Sequence, residues 1–382
     1  MADSRNSPPN LPELRAQIDD IDRDILTLLK RRMDVVTAVA AYKKRTGTPI
    51  RDFGRERDLL SARKAQALTL GLQPGPVESI YRQVMTASRD HQAAQGAAAR
   101  ARVEPKTVAI IGGQGQMGQR LAALFTDLGH TVVVADVNTD LRPEVAAQNA
   151  DVVVVSVPIA ATCDVIRKLG PLVRKDALLM DITSLKGEVV STMLASTEAS
   201  VVGTHPMFGP GVHTLIGQRI VVCRARGEHW YRWLVEMLEG RGLVVTESSP
   251  QAHDRAMALV QVLTHFQTQV LGLALSRCGI SLQESLRYTS PAYLMELYVA
   301  ARHFAQAPEL YGPIEMGNPE TEAITSGFCA AAAELAEILR TKDQPRFEAM
   351  FAEVRSFFGD FTAEAVEQSS FLIDRMIERA LG

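Results

Sequence analysis

The stretch Val108-Ala-Ile-Ile-Gly-Gly-Gln-Gly-Gln-Met-Gly118 decides the fold class of the larger part of this chain. It joins a short apolar strand to the start of a predicted helix through a Gly-x-Gly-x-x-Gly motif, which is typical of dinucleotide-binding βαβ units. Gly113 permits the tight turn, Gly115 leaves room for a pyrophosphate, and Gly118 lets the helix pack close to the sheet. A glycine turn that binds no ligand is the alternative interpretation.

The residues after the motif favour one dinucleotide. The helix begins at Gln116 and Met117, where free N–H groups would face the phosphates. The next predicted strand, over residues 131–135, is followed by Asp136. A carboxylate at this position would accept hydrogen bonds from the adenosine ribose and would repel a 2′-phosphate, which favours NAD over NADP. A solvated loop acid is the alternative for Asp136.

From residue 106 the sequence alternates between apolar strands and helical stretches, which predicts a parallel sheet covered on both faces. Strands are predicted at residues 108–111, 131–135, 151–157, 177–181, 201–203, 219–223 and 243–246, and the chain beyond residue 250 is predicted to be helical. The carboxyl ends of parallel strands face the ligand crevice. Ser156, Pro158 and Ser184 are therefore predicted to line the nicotinamide side, with ordinary turn chemistry as the alternative.

His205 is the main catalytic candidate, because it directly follows the predicted strand at residues 201–203 and is fixed by Pro206. A neutral imidazole there could accept a hydroxyl proton while a hydride leaves the same carbon. The alternative is a histidine that bonds a backbone carbonyl. On the C-terminal helices, His265 is either a pocket residue or a core histidine, and Arg302 is either a carboxylate anchor or a surface residue. His253 has only Asp254 beside it, which argues against a metal site.

Residues 11–92 are predicted to be all-helical, with breaks at residues 47–49 and at Gly71. Apolar residues from Leu14 to Val39 recur at spacings of three and four, apart from one gap between Leu28 and Val35, which indicates a long amphipathic helix. Two cations and two polar side chains fall on the apolar stripes of the first and third helices: Arg32, Lys43, Ser88 and Gln92. Burying cations without partners is costly, so the pattern favours an enclosed anionic ligand. Solvated faces and intrahelical salt bridges are the alternative.

Composition narrows the classes of function. Residues 1–105 hold 18 Lys and Arg against 13 Asp and Glu, in a chain of net charge −3. Few aromatic side chains accompany this basic segment, so a small anion is favoured over nucleic acid. No apolar run approaches about 20 residues, which argues against an integral membrane protein. The N-terminus lacks an apolar signal core, and the four scattered cysteines suggest neither disulfides nor zinc. A cytoplasmic protein without a metal is expected.

Together and in this order, the motifs resemble the bifunctional chorismate mutase/prephenate dehydrogenase family. The resemblance is carried by the charged run at residues 51–57, by the seam cations, by the glycine motif and by His205-Pro-Met-Phe-Gly-Pro210. It implies an all-α mutase domain over residues 1–92, a linker at 93–105, an α/β Rossmann domain at 106–248 and an all-α substrate and dimerisation domain at 249–382.

The resemblance also implies the function. The family rearranges chorismate to prephenate by a Claisen reaction and then oxidises and decarboxylates prephenate to 4-hydroxyphenylpyruvate with NAD, in tyrosine biosynthesis. The implied mutase residues are Arg15, Arg32, Lys43, Asp52, Arg55, Glu56, Ser88 and Gln92. Arg15 would reach into the partner's site in a homodimer.

For the dehydrogenase, the resemblance implies His205 as the proton acceptor, Arg302 as a carboxylate anchor, and Ser184 and His265 as pocket residues. Activity is then expected to fall below a pKa of about 6–7, the ordinary value for histidine. Tyrosine is suggested as a feedback inhibitor.

One departure keeps the substrate open. The stretch Ser290-Pro-Ala-Tyr-Leu294 has leucine where some members carry arginine, so arogenate is an alternative to prephenate. Two further alternatives are a β-hydroxyacid-type dehydrogenase whose helical segment only dimerises, and a non-catalytic protein that senses NAD.

Overall fold

The computed structural model describes residues 10–46, 48, 52–100, 104–212 and 214–380. Along the chain it has an N-terminal helical part, a central seven-stranded sheet with helices on both faces, and a C-terminal helical part. The predicted order of helices and strands is therefore confirmed. Gly47, Pro49 and Arg51, on which the predicted helix break and the charged run partly rest, lie outside the described residues.

The N-terminal part consists of α1 (Leu11–Thr46), α2 (Phe53–Thr69) and α3 (Pro74–Arg100). Asn10 and Glu13 form a capping box at the start of α1, in which the Glu13 N–H donates to Asn10 Oδ1 at 3.0 Å and the Asn10 N–H donates to Glu13 Oε2 at 3.1 Å. The expected end of α3 at Gln92 is wrong, since residues 93–100 are helical too. This segment is rich in alanine, the best helix former, so the helix propagates without an apolar face. The predicted domain boundaries stay predictions.

The apolar face of α1 is exposed in the single chain. Ile18, Ile21, Leu28 and Val35 retain 57–64% of their accessible surface. A contiguous apolar stripe of this kind is typical of an interaction surface.

The central sheet contains β1 (Thr107–Ile111), β2 (Thr131–Ala135), β3 (Val152–Val155), β4 (Leu178–Asp181), β5 (Ser200–Pro206), β6 (Arg219–Arg226) and β7 (Val244–Glu247). Their spatial order is β2-β1-β3-β4-β5-β6-β7. All neighbours are parallel except β5 and β6, which pair antiparallel. The intervening helices are α4 (Gln116–Asp127), α5 (Pro143–Asn149), α6 (Ile159–Leu169), α7 (Gly187–Ser196) and α8 (Glu228–Gly240), with a 3₁₀ turn at Gly170–Leu172.

The sheet is buried on both faces, which explains its continuous apolar strands. Successive residues of β1 alternate between two cores: Ala109 and Ile111 belong to one, Val108 and Ile110 to the other. Strand β5 is longer than predicted, because its antiparallel pairing with β6 extends to Pro206. His205 therefore lies within the last residues of the strand, opposite Val221, and not after it.

The C-terminal part comprises α9 (Pro250–Met257), a π-helical turn (Ala258–Leu263), α10 (Thr264–Arg277), α11 (Leu282–Leu286), α12 (Pro291–Phe304), α13 (Pro308–Gly317), α14 (Thr321–Thr341), α15 (Gln344–Phe358) and α16 (Phe361–Ala380). The continuous segment Pro250–Arg277 is long and apolar enough to cross a bilayer by length and composition, contrary to the expectation that no such run exists. One such segment is weak evidence for a membrane, because core helices meet the same criteria.

Candidate active sites

A cavity of about 730 Å³ lies between the carboxyl ends of the parallel strands and the C-terminal helices. Parallel strands end at one edge of the sheet, so loops that are far apart in sequence meet there. The cavity is lined by most of the residues predicted for the dehydrogenase: Gly115, Gln116, Met117, Gly118, Ser156, Pro158, Ser184, His205 and His265.

The glycine loop has the shape that a dinucleotide requires. Gly115 precedes α4, and no side chain caps the helix N-terminus. A Cβ on Gly113 would lie 2.7 Å from Val134 Cγ1, and one on Gly118 would lie 2.6 Å from the Gly112 carbonyl oxygen. Both positions therefore need glycine for packing. Gly115 differs, because a Cβ there would meet only the Gly112 carbonyl oxygen, at 3.3 Å.

Asp136 lies beside this loop, outside the lining of the cavity. Its Oδ2 accepts a hydrogen bond from the Gln114 N–H at 3.0 Å, and its Oδ1 accepts one from the Val137 N–H at 2.8 Å. These two bonds hold the carboxylate at the edge of the glycine loop. An uncapped helix start, a glycine cradle and a fixed carboxylate together fit a nicotinamide dinucleotide.

His205 lies in the cavity wall and is 4% exposed. Its Nδ1 is 2.9 Å from Nε2 of His253. Burial, the positive charge of Lys186 and the neighbouring His253 lower the pKa of His205 well below its usual value, and Asp254 opposes this only in part. The imidazole is therefore neutral at neutral pH, and the expected pKa of about 6–7 is corrected downward.

The sequence analysis did not assign His253 and Asp254 to this site. His253 is 1% exposed, and its Nδ1 is 2.8 Å from Asp254 Oδ1. The same Oδ1 accepts the Lys186 N–H at 2.9 Å, while Oδ2 accepts the Gly187 N–H at 2.8 Å. Only the adjacent pair His253-Asp254 could have pointed to this role from sequence. The contact between His253 and His205 joins residues 48 positions apart, which no local pattern indicates.

A fully buried ion pair lies behind His205. The Lys186 ammonium donates to Asp181 Oδ2, and both side chains are 0% exposed. The Thr183 hydroxyl and N–H donate to the same oxygen at 2.6 and 2.9 Å. This pair places a fixed positive charge close to the imidazole, without access to solvent.

The C-terminal helices contribute the opposite wall. His265 packs edge-on against Tyr311, with ring centroids 4.8 Å apart, and Tyr311 stacks on His303 at 3.9 Å. Burial and the neighbouring His303 lower the pKa of His265 to about 4. Gln261, in the π-helical turn, lines the cavity, and its buried Oε1 has no hydrogen-bond partner among the described residues. Sequence analysis missed Gln261, and π turns are frequent at functional sites.

Arg302 does not line this cavity and is exposed on α12. Burial raises the pKa of Tyr311, and the positive charge of Arg302 opposes this rise. Arg302 is therefore close to the wall that Tyr311 forms. Leu294, on the same helix, is half-buried.

A second set of predicted residues lies among the N-terminal helices. Arg32 of α1 donates to the Ser88 hydroxyl and, at 3.4 Å, to the Val84 carbonyl oxygen. Gln92 is buried and donates to the Ser88 carbonyl oxygen at 3.2 Å, while its Oε1 has no partner among the described residues. Glu56 pairs with Arg89 at 2.7 Å. The structure thus brings Arg32, Ser88 and Gln92 together, and it adds Arg89, which the sequence analysis did not single out.

The remaining predicted mutase residues are more dispersed. Asp52 caps α2 by accepting the Arg55 N–H at 3.0 Å, and both side chains are exposed. Lys43 is half-buried near the end of α1. Arg15 is exposed and precedes Arg32 by seventeen residues of one helix, a separation of about 25 Å at 1.5 Å per residue. Arg15 therefore cannot share a site with Arg32 of the same chain.

Family models match most of the chain. A chorismate mutase type II model matches residues 14–93. The nucleotide-binding domain model of prephenate dehydrogenase matches residues 98–246, and the dimerization domain model matches residues 249–353.

The T-protein of Enterobacter agglomerans is 34% identical over 363 residues, covering 95% of this chain and 97% of the relative. The T-protein of Haemophilus influenzae is 32% identical over 365 residues, covering 96% and 97%. The structure of prephenate dehydrogenase from A. aeolicus in complex with hydroxyphenyl propionate and NAD+ has a TM-score of 0.54 at 20% identity. The match covers 66% of this chain and 97% of that one, and this likeness shows the fold alone.

The fold and the crevice thus define a nicotinamide-dependent oxidoreductase with a helical domain at its N-terminus. The match of a mutase model to that helical domain does not support a purely dimerising role for it. The chain belongs to the bifunctional chorismate mutase/prephenate dehydrogenase family, as the three family models and the likeness to the two T-proteins show.

Proposed function

We propose that the two reactions take place at the two separate sites described above. Chorismate is rearranged to prephenate between the N-terminal helices, and prephenate is oxidised and decarboxylated to 4-hydroxyphenylpyruvate in the crevice. The observation that carries the second assignment is the position of His205, a buried neutral imidazole in the wall of the cavity that the glycine loop also lines.

In the crevice, His205 acts as the general base. Its Nδ1 is occupied by His253, so Nε2 faces the substrate. Nε2 accepts the proton of the ring hydroxyl as a carbonyl forms at that carbon. NAD held at the glycine loop would supply the acceptor for the hydride of that carbon. The ring carboxylate leaves as carbon dioxide, the electrons of the broken bond complete the aromatic ring, and the former carbonyl oxygen takes the proton back from His205. Formation of the aromatic ring makes the step effectively irreversible.

Three side chains are proposed to position prephenate. Ser184 and His265 line the cavity and offer polar contacts, and His265 stays neutral because its pKa is lowered to about 4. Arg302, near Tyr311, would bind a substrate carboxylate. Leu294 offers no second cation on α12, so Arg302 alone on this helix would hold the carboxylate. Prephenate rather than arogenate as the preferred substrate is part of this proposal.

Asp136 supports NAD over NADP. Its carboxylate is held at the edge of the glycine loop by two backbone N–H groups, so it cannot move aside at low cost. A 2′-phosphate would meet this negative charge directly.

In the helical site, catalysis requires no proton transfer. Arg32 would bind a carboxylate of chorismate, and Lys43 and Gln92 would stabilise charge that develops on the ether oxygen. The contact of Arg32 with Ser88, and the Gln92 Oε1 that has no partner among the described residues, support a polar site between α1 and α3. Glu56 has Arg89 as its bonded partner. Holding the chair-like conformer supplies the remaining acceleration.

The assembly proposed is a cytoplasmic homodimer. The exposed stripe of α1 offers the interface, and the distance of Arg15 from Arg32 supports its use in the partner's site. Tyrosine carries the same hydroxyphenyl group as the product, so we propose that it inhibits the dehydrogenase by competing with prephenate.

A coupled assay tests the proposed function. Purified full-length protein is given chorismate with NAD or NADP, and the formation of NADH or NADPH and of 4-hydroxyphenylpyruvate is followed. Turnover with NAD, faster than with NADP, is expected, and arogenate is expected to be a poorer substrate than prephenate. Formation of prephenate without any reduced nucleotide would refute the dehydrogenase assignment.

A further inference from the structure

A continuous line of buried hydrogen bonds runs from the crevice through α9 to the start of α7. It begins at His205 in β5, passes through the 2.9 Å contact to His253 and the 2.8 Å contact to Asp254, and ends on the backbone of Lys186 and Gly187. His205, His253 and Asp254 are 4%, 1% and 5% exposed. Water therefore has little access to replace any of these bonds.

The directions of these bonds follow from Asp254. Its carboxylate receives two backbone N–H groups, which are always donors, so it acts as an acceptor. Burial alone would raise the pKa of Asp254, but the hydrogen bonds from His253, Lys186 and Gly187 lower it below its usual range. An ionised Asp254 requires that His253 Nδ1 carries a proton.

The tautomer of His205 then follows. A neutral His253 with its proton on Nδ1 has a lone pair on Nε2, which can only accept. The contact at 2.9 Å therefore requires that His205 Nδ1 donates. A neutral His205 with its proton on Nδ1 has its lone pair on Nε2, the nitrogen left to the crevice.

We propose that His253 and Asp254 are positioning residues that hold His205 in the tautomer that can act as a base. The proposal rests on the proposed function of His205. Neither residue needs to touch the substrate, since both act through the imidazole of His205.

This line of hydrogen bonds also links the central part of the chain to its C-terminal part. His205 belongs to the sheet, whereas His253 and Asp254 belong to α9 in the C-terminal part. The Asn318 side-chain amide, after α13, donates to the Asp254 carbonyl oxygen at 2.8 Å and is itself 4% exposed. The base is therefore ready for reaction only when α9 is seated on the sheet, so the C-terminal helices take part in catalysis beyond forming a wall.

Two substitutions of His253 separate this role from a structural one. In His253→Gln the amide reaches the position of Nε2, and its oxygen can still accept from His205. In His253→Asn the amide reaches only the position of Nδ1, so His205 loses its acceptor. We expect kcat of the dehydrogenase to fall about 10²–10³-fold in His253→Asn, somewhat less than the loss known for a wrong tautomer in a catalytic triad. His253→Gln should stay within about tenfold of wild type.

The controls use the full-length protein. His229→Asn makes the same change at an exposed histidine of α8 and should leave both activities unchanged. In the His253 variants, KM for prephenate, affinity for NAD and mutase turnover should change less than about threefold. Equal losses in the two variants, or a loss that appears in KM and in NAD affinity instead of kcat, would show a structural role and overturn the proposal.

A measurement on the wild-type protein needs no variant. Nitrogen-15 NMR of histidine-labelled enzyme distinguishes protonated from unprotonated ring nitrogens. The proposal requires a protonated Nδ1 and an unprotonated Nε2 on His205 at neutral pH, and the opposite tautomer would overturn it.

The variants also separate this proposal from the proposed function. If His205→Asn abolishes dehydrogenase activity while His253→Asn behaves as wild type, only the positioning role of His253 and Asp254 fails. If His205→Asn is fully active, the base assignment itself fails.

Discussion

Replacing Lys186 by methionine should strongly destabilise the central domain. Lys186 and Asp181 are both fully buried, and the ammonium is the only cation that contacts Asp181 among the described residues. Asp181 Oδ1 has no hydrogen-bond partner in that same part of the chain. The substitution would therefore leave a buried carboxylate with only Thr183 to satisfy it.

The magnitude follows from the burial. Removing one partner of a buried pair costs about 3–5 kcal/mol. At about 2–4 °C per kcal/mol for a domain of this size, the unfolding transition should fall by roughly 6–20 °C. The double variant Lys186→Met/Asp181→Leu should lose less than the single variant, because no uncompensated charge is left, although Thr183 then lacks its acceptor.

Differential scanning calorimetry of the three proteins gives the comparison, with mutase turnover as a check on the N-terminal domain. An unfolding transition of Lys186→Met within about 1 °C of wild type would refute the reasoning. So would a double variant that is less stable than the single one.

Three further predictions concern the crevice. The base is active only when neutral, and the pKa of His205 is lowered, so kcat/KM for prephenate should stay constant as the pH falls through 6.5 and decline only at a lower pH. Lys186→Met removes a positive charge that lowers this pKa, so it should move the decline to higher pH. A decline in wild type with its midpoint at pH 6.5 or above would contradict the account. Gly115→Ala should weaken NAD binding with under about 1 kcal/mol lost in stability, whereas Gly118→Ala should lose about 1–3 kcal/mol, as calorimetry and NAD titration would show. Asp136→Ala should lower the ratio of kcat/KM for NAD to that for NADP, and an unchanged ratio would remove Asp136 from cofactor selection.

The parts of the fold that could be predicted are those with a local pattern. The apolar strands and the glycine loop were identified because both faces of a parallel sheet are buried and because Gly113 and Gly118 have no room for a Cβ. The end of α3 was missed, since alanine continues a helix without an amphipathic pattern. The place of His205 inside β5 depends on antiparallel pairing with β6, which nothing local indicates.

The candidate sites divide in the same way. Residues in the glycine motif and at the ends of the strands could be predicted from sequence. His253 and Arg89 were missed because their partners lie on other helices and strands. Gln261 was missed because nothing local indicates that its turn lines the cavity. An isolated histidine or arginine on a helix looks the same in sequence whether it faces solvent or a buried neighbour.

The most direct test of the central claim is to measure both activities of His205→Asn in one preparation. The account predicts that kcat for prephenate oxidation falls about 10²–10⁴-fold, as expected for a lost general base, while conversion of chorismate to prephenate keeps its wild-type rate. Undiminished oxidation of prephenate, or a parallel loss of both reactions in a folded protein, would contradict it.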